Sequence, residues 1–137
     1  MIHVHGGNCF LGNGLQNEKL IHQITEDSDT VIFSPMYRLT PNVRAPEPQN
    51  DVVATVEYVY KFADLHGVDR NKIVLSGESA GGHLATGAAL LLKQKQKNYI
   101  RCMVLFQPML DDMIFSVPRK GATKGEAQMG LIIERSF

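Results

Sequence analysis

Ser79 is the residue of this sequence best placed to do chemistry. It stands in Gly77-x-Ser79-x-Gly81, after an apolar run at 73–75 and before apolar residues at helical spacing. A turn straight from strand into helix strains its central residue, and flanking glycines remove the side chains that would clash. The pattern predicts a serine hydroxyl held at a helix N-terminus, where free amide hydrogens suit a developing oxyanion. An ordinary glycine- and serine-rich turn is the alternative that this pattern leaves open.

A second glycine-rich segment, His5-Gly6-Gly7-Asn8, follows a short alternating run at residues 2–5. Small residues let backbone N–H groups come close to a ligand, so this loop is a candidate partner of Ser79. A plain glycine-rich loop is again the alternative. His3 and His5 share one face of a strand and could in principle bind a metal. No third ligand has a suitable spacing, so we expect no metal site and no cofactor.

The elements that must position these residues follow from hydrophobic periodicity. Strands are predicted where apolar residues alternate or form short runs, and helices where they recur every three or four residues. The predicted strands are 2–5, 30–33, 73–75 and 101–106, and the predicted helices are 17–26, 51–65 and the segment after Ser79 up to the polar stretch 93–98. The prolines Pro41, Pro46 and Pro48 predict a loop before the second helix.

This alternation of strands and helices predicts an α/β fold, a three-layer parallel sheet of about four strands with flanking helices. Active sites of such sheets lie at the carboxyl ends of the strands. The loop at His5 and the turn at Ser79 both follow predicted strands. The predicted core spans residues 1–112, and we expect 113–137, where the apolar pattern fades, to form an irregular C-terminal tail.

Composition restricts the class of protein and its partners. The 137 residues suit one globular domain, with 44% apolar and 20% charged residues. Lys+Arg and Asp+Glu number 14 each, so the chain has no net positive charge that would attract nucleic acid. Cys9 and Cys102 form no disulfide framework, and no signal peptide or membrane-spanning run is visible. We therefore expect a cytoplasmic protein without stable membrane insertion.

Several segments together resemble the hormone-sensitive-lipase-like branch of the α/β-hydrolase fold, which includes esterases and arylacetamide deacetylases. The matching segments are His5-Gly6-Gly7 with Gly12 for the HGGG loop, Tyr37-Arg38-Leu39-Thr40-Pro41 with Asp51 for the YRLAP segment, and Gly77-Glu78-Ser79-Ala80-Gly81-Gly82 for the G-[DE]-S-A-G-G elbow. The resemblance covers roughly residues 2–111, and the combination is more specific than any one motif.

The resemblance implies a carboxylic-ester hydrolase acting on a small acyl ester through Ser79 and an acyl-enzyme. The backbone N–H groups of Gly7, Asn8 and Ala80 would form the oxyanion hole. Asn8 replaces the family's third glycine, but it keeps an amide N–H and tolerates left-handed backbone. The remaining motif residues would support the turn and the loop: His5, Gly6, Gly77, Glu78, Gly81 and Gly82. Glu78 is not assigned as the catalytic acid.

A base for Ser79 is missing from the expected place. The family order is serine, then acid, then histidine, and the one histidine after Ser79 is His83. The elbow aims the serine hydroxyl away from the helix that carries His83, which makes His83 a poor base. Asp111 and Asp112 follow the fourth strand, where some hydrolases of this fold place their acid.

Two hypotheses therefore stand. The chain is part of a larger esterase and active only when completed, or it is a noncatalytic remnant that at most binds ligands or partners. The family's cap segment and its two strands before the HGGG strand are absent, so we expect a truncated core of central strands. Outer strands left bare would be edges open to self-association.

Overall fold

The computed structural model describes residues 1–110 and the strand Leu131–Arg135. The strands are β1 (Ile2–Val4), β2 (Val74–Glu78), β3 (Cys102–Phe106) and β4 (Leu131–Arg135). The helices are α1 (Glu18–Asp27), α2 (Glu47–Lys61) and α3 (Ala80–Gln94), and short 3-10 turns lie at Ala63–His66 and Arg70–Lys72. No helix among these described residues is long and apolar enough to cross a membrane.

The sheet has the order β1-β2-β3-β4. Strands β1, β2 and β3 run parallel, with Ile2 opposite Leu75 and Leu75 opposite Met103. Each parallel connection needs a crossover, and helices supply it. The α/β architecture expected from the sequence is confirmed by these three parallel strands and their helices.

The core lies between one face of this sheet and the pair α2 and α3. Ile2, Val4, Leu75, Met103 and Leu105 alternate along the strands and are buried. The predicted stripe of α2 is confirmed, because Val52, Val56, Val59 and the following Ala63 are all buried. Leu84, Ala85, Ala88 and Leu92 form the matching stripe of α3. This packing fixes the start of α3, and hence Ser79, against the carboxyl end of β1.

The predicted strand at 30–33 is wrong, since Phe33 alone pairs with β1, through a parallel bridge to Ile2. In this register residues 30 and 31 lie opposite no residue of β1. Pro35 lies two residues beyond the bridge, and it has no N–H to extend the ladder. Phe33 nevertheless covers the outer edge of β1, because its N–H donates to the carbonyl oxygen of Met1 and its carbonyl oxygen accepts from the N–H of His3, both at 2.9 Å.

The second helix also begins earlier than predicted. Pro48, assigned to a loop from the sequence, lies in the first turn of α2. Proline fits there because the first N–H groups of a helix have no intrahelical acceptor. Pro41 and Pro46 precede the helix as expected. The helix also ends earlier than the predicted residue 65, at Lys61, and Gly67 ends the following 3-10 turn at φ 64°.

The expected irregular tail is wrong at residues 131–135. This segment forms β4, antiparallel to β3, with Cys102 opposite Arg135 and Phe106 opposite Leu131. The apolar run of Leu131, Ile132 and Ile133 favours a strand, and pairing satisfies the otherwise open backbone edge of β3. Residues 111–130 and 136–137 lie outside the described residues, so the predicted domain boundary at 112 remains a prediction.

Candidate active site

Ser79 occupies the strained turn that the sequence predicted. β2 ends at Glu78 and α3 begins at Ala80, so Ser79 is the only residue between strand and helix. Its backbone has φ 52° and ψ −120°, a conformation that residues with a side chain rarely adopt. The side chain is half-buried and therefore reachable from solvent.

The glycines around Ser79 are required by close backbone packing. A Cβ atom on Gly81 would lie 2.1 Å from the carbonyl oxygen of Val4 and 2.4 Å from that of His5. A Cβ on Gly77 would lie 2.4 Å from the carbonyl oxygen of Gly81. The first turn of α3 thus packs directly on the end of β1. A residue with a side chain at position 81 would clash with the backbone of β1.

The loop after β1 lies against the elbow. A Cβ on Gly6 would stand 3.4 Å from the Cβ of Ser79 and 3.1 Å from the carbonyl oxygen of Glu78. Gly7 has φ 107° and Asn8 has φ 52°, so the chain turns sharply away from the sheet here. The N–H of Leu11 donates to the carbonyl oxygen of Gly7 at 2.9 Å and closes the turn. Two motifs far apart in sequence are therefore neighbours.

Three backbone N–H groups near Ser79 are available as donors. Within the described part of the chain, the amides of Gly7, Asn8 and Ala80 donate no hydrogen bond. Ala80 opens α3, where the helix leaves its first N–H groups without intrahelical acceptors. The left-handed backbone of Asn8 also shows that asparagine is accommodated where the family has glycine. These are the amides that the sequence predicted for an oxyanion hole.

Tyr37 and His5 support the loop from beneath. A supporting role was expected for His5 but not for Tyr37. The Tyr37 hydroxyl donates to the carbonyl oxygen of His5 at 2.9 Å, and the two rings stack with centroids 4.3 Å apart. His5 Nδ1 donates to the carbonyl oxygen of Gly6 at 2.7 Å. Gly12 packs against the same imidazole, since a Cβ there would lie 2.8 Å from Nδ1. Burial raises the pKa of Tyr37 and lowers that of His5.

Hydrogen bonds and an ion pair fix two further motif residues, Glu78 and Asp51. Glu78 accepts a hydrogen bond from the side-chain amide of Asn17, the residue before α1. The carboxylate of Asp51 accepts from Nε and Nη2 of Arg38 at 2.8 to 3.2 Å, and hydrogen bonding with Arg38 lowers the pKa of Asp51. Asp51 thereby fixes the residue that follows Tyr37. Glu78 supports the turn, as expected from the sequence.

No histidine contacts the Ser79 hydroxyl among the described residues. His83 lies one turn into α3, and its Nδ1 donates instead to the carbonyl oxygen of Met109 at 3.0 Å. Asp111 and Asp112 lie outside the described residues. Among the described residues, the turn at Ser79 and the loop at His5 thus lie together, and no histidine is hydrogen-bonded to the Ser79 side chain.

The face of β1 that carries His3 holds a separate polar pair. His3 Nδ1 and the Ser76 hydroxyl are 3.1 Å apart, and both side chains are buried. His3 Nε2 has no hydrogen-bond partner within the described residues. Burial lowers the pKa of His3, and the nearby carboxylate of Glu78 partly offsets this. In the same part of the chain, no three His, Cys, Asp or Glu residues are grouped as metal ligands.

Comparison with known proteins extends these observations. The model of a family described as alpha/beta hydrolase fold matches residues 1–135. Neutral cholesterol ester hydrolase 1 of Bos taurus is 32% identical over 124 residues, which cover 86% of this chain and 30% of that protein. Arylacetamide deacetylase of Bos taurus is 33% identical over 124 residues, covering 86% and 31%. The chain thus spans about a third of the length of these relatives.

Solved structures give the same result. A bacterial heroin esterase superposes with a TM-score of 0.78 at 29% identity, covering 81% of this chain and 35% of that one. The thermostable carboxylesterase EstE1 from a metagenomic library superposes with a TM-score of 0.75 at 31% identity, covering 78% and 36%. The family match, the shared fold and the elbow at Ser79 agree, and the chain belongs to the hormone-sensitive-lipase-like family of α/β hydrolases.

Proposed function

We propose that this chain is the nucleophile-bearing part of a serine carboxylic-ester hydrolase. Ser79 is the nucleophile, and the amides of Gly7, Asn8 and Ala80 are the oxyanion hole. The packing of Gly6 against Ser79 carries the proposal, because it brings the loop's unpaired N–H groups to the side of the nucleophile. The substrate is an acyl ester, and the reaction needs no cofactor.

The chemistry follows from these groups. The Ser79 oxygen attacks the ester carbonyl carbon while a base takes the hydroxyl proton, and the carbonyl oxygen becomes an oxyanion. Amide N–H groups aimed at that oxygen stabilise it. The tetrahedral intermediate then expels the alcohol, which takes the proton from the base, and water releases the acid from the acyl-enzyme.

In the part of the chain that the structure describes, no base is hydrogen-bonded to the Ser79 hydroxyl. We propose that a histidine from outside these 137 residues is that base. Removing the base from a serine hydrolase lowers the rate by several orders of magnitude, and the oxyanion hole and substrate binding supply what catalysis remains. The chain alone is accordingly a weak enzyme in this proposal.

We propose an apolar acyl group for the substrate, because exposed apolar residues follow both segments that pack on the elbow. Phe10 and Leu11 follow the loop directly and are 51% and 59% exposed, and Leu110 follows Met109 and is 51% exposed. Met109 donates its N–H to the carbonyl oxygen of Ser79, which keeps that segment at the elbow. Relatives named for cholesterol ester hydrolysis and arylacetamide deacetylation also suggest apolar substrates.

A noncatalytic remnant is the second candidate. It is favoured by the bond from His83 to Met109, which engages the one histidine that follows Ser79 in the sequence in another contact. In that case the loop and elbow bind ligands or partners without turnover.

Labelling with a fluorophosphonate, followed by intact-mass measurement, separates these candidates. The probe forms a covalent adduct with an activated serine. Labelling is measured with and without added imidazole, which can take the proton in place of a missing histidine. Ser79→Ala is the test variant, and Ser28→Ala, at an exposed serine after α1, is the matched control.

The proposal predicts a single adduct that imidazole accelerates, that Ser79→Ala abolishes and that Ser28→Ala leaves unchanged. A fast adduct without imidazole would place a working base within the chain and overturn the proposal of an external histidine. No adduct on folded protein, even with imidazole, would overturn the hydrolase and leave the noncatalytic remnant.

We also propose weak self-association at this side of the sheet, through the segment that covers β1 at Phe33, in which Val31 is 45% exposed. A cytoplasmic location is proposed from the two unpaired cysteines, Cys9 and Cys102.

A further inference from the structure

Residues 106–109, at the end of β3 and just after it, hydrogen-bond both the N–H and the carbonyl oxygen of Ser79. The N–H of Ser79 donates to the carbonyl oxygen of Phe106 at 2.9 Å, and the N–H of Met109 donates to the carbonyl oxygen of Ser79 at 3.1 Å. Between them, Pro108 lies so close to Gly82 that a Cβ there would be 2.7 Å from the proline Cβ. The four residues 106–109 therefore wrap the elbow.

The elbow and the segment 106–109 each contain a residue with strained backbone. Ser79 has φ 52° and Gln107 has φ 45°, and neither residue is a glycine. Such conformations persist only where the surrounding structure holds them in place. The contacts between the elbow and residues 106–109 are thus part of what keeps Ser79 in its unusual backbone conformation.

His83 completes this arrangement. Its backbone N–H donates to the carbonyl oxygen of Ser79 at 3.2 Å, and its side-chain Nδ1 donates to the carbonyl oxygen of Met109 at 3.0 Å. Since Met109 also donates to Ser79, the three residues close a ring of three hydrogen bonds. A carbonyl oxygen can only accept, so His83 carries its proton on Nδ1.

We propose that His83 is a positioning residue that clamps residues 106–109 onto the nucleophile elbow, and that it is not the base. Removing its side-chain donor frees Met109, and the carbonyl oxygen of Ser79 then loses one of its donors. The effect on the reactivity of Ser79 rests on the proposed function, whereas the clamp itself does not.

The chain offers matched variants for a test. His83→Asn keeps an N–H donor near the position of Nδ1, and His83→Leu removes it at similar size. Thr86→Val is the control, because it removes a hydrogen bond within the same helix, from Thr86 to the carbonyl oxygen of Gly82. Three readouts are taken: the ¹⁵N shifts of the His83 ring, hydrogen exchange of the Met109 amide, and the imidazole-dependent labelling rate of Ser79.

We expect the wild-type ring to carry its neutral-form proton on Nδ1. Met109 exchange should be at least about tenfold faster in His83→Leu and near wild type in His83→Asn and Thr86→Val, since local opening sets exchange. Labelling of Ser79 should slow in His83→Leu and recover in His83→Asn.

A proton on Nε2 in wild type, or unchanged Met109 exchange in folded His83→Leu, would overturn the clamp. Loss of labelling in His83→Asn with intact Met109 protection would mean that His83 is the base, which also overturns the proposal. If wild type itself is not labelled, the proposed function fails, and the ring shifts and Met109 exchange still decide the clamp.

Discussion

The hydroxyl of Tyr37 donates a hydrogen bond to the carbonyl oxygen of His5, 2.9 Å away, from beneath the loop that faces Ser79. The same hydroxyl lies 3.2 Å from the carbonyl oxygen of Gly6. Both carbonyls belong to buried residues, so Tyr37 satisfies acceptors that water does not reach. A residue 32 positions away in sequence thus sets the conformation of the candidate oxyanion loop.

Tyr37→Phe removes this donor and keeps the stacked ring. Gly6 keeps its hydrogen bond from His5 Nδ1, but the buried carbonyl oxygen of His5 loses the donor of Tyr37. Losing a donor to a buried carbonyl costs about 1–3 kcal/mol, so we expect the free energy of unfolding in urea to fall by that amount. Tyr60→Phe is the matched control, because the Tyr60 hydroxyl makes no hydrogen bond with the described residues and its ring stacks on Tyr99. Equal effects of the two substitutions would contradict the supporting role of Tyr37.

Gly81→Ala tests the close approach of α3 to β1. The new methyl group would lie 2.1 Å from the carbonyl oxygen of Val4, a backbone atom that cannot rotate away. Overpacking of this kind typically costs about 1–3 kcal/mol and occasionally more, so we expect severe destabilisation in thermal or urea unfolding.

Gly87→Ala, later in the same helix, is the control for this substitution. The nearest atom to its new Cβ would be Cγ of Gln49 at 3.0 Å, part of a flexible side chain that can move. Replacing glycine by alanine inside a helix stabilises by about 0.5–1 kcal/mol, which offsets the contact. A Gly81→Ala protein as stable as Gly87→Ala would show that the first turn of α3 can move away from β1.

The strained turn at Ser79 and its glycine-rich neighbour loop could be predicted from the sequence, because both depend on local backbone requirements. The glycines at fixed positions around Ser79 are needed in any fold that contains this turn, because larger side chains would clash there. The stripe of α2 was equally predictable, because Val52, Val56 and Val59 repeat at helical spacing.

The remaining contacts depend on the register of distant segments, which composition and periodicity do not encode. Nothing around Tyr37 in the sequence indicates that its hydroxyl reaches the carbonyl oxygen of His5. The bond from His83 to Met109 likewise depends on how the segment after β3 returns over α3. The strand Leu131–Arg135 was missed because its apolar run is short and its pairing with β3 antiparallel, outside the alternating strand and helix pattern.

Val31→Lys tests the proposed self-association. Val31 is exposed on the segment that covers the outer edge of β1, and a lysine on such an edge segment disfavours pairing with another chain. We expect sedimentation velocity to show less association at high protein concentration than in wild type. Leu65→Lys is the control, because Leu65 is 75% exposed in the turn after α2, away from a strand edge. A monomeric wild-type protein, or an equal effect of both substitutions, would contradict the proposal.

The buried His3 and His5 predict a loss of stability in mild acid. Burial lowers the pKa of both imidazoles in the folded state, so the unfolded chain binds their protons first. The free energy of unfolding therefore falls as the pH drops below the unfolded pKa of about 6.5, and it stops falling below the folded pKa.

His3→Gln removes one of these groups and should flatten the slope of the unfolding free energy between about pH 6.5 and pH 5. Urea unfolding at several pH values measures this slope in the variant and in wild type. A slope unchanged by His3→Gln would mean that protonation of His3 is tolerated inside the fold. Its proton would then be accommodated beside Ser76 and Glu78.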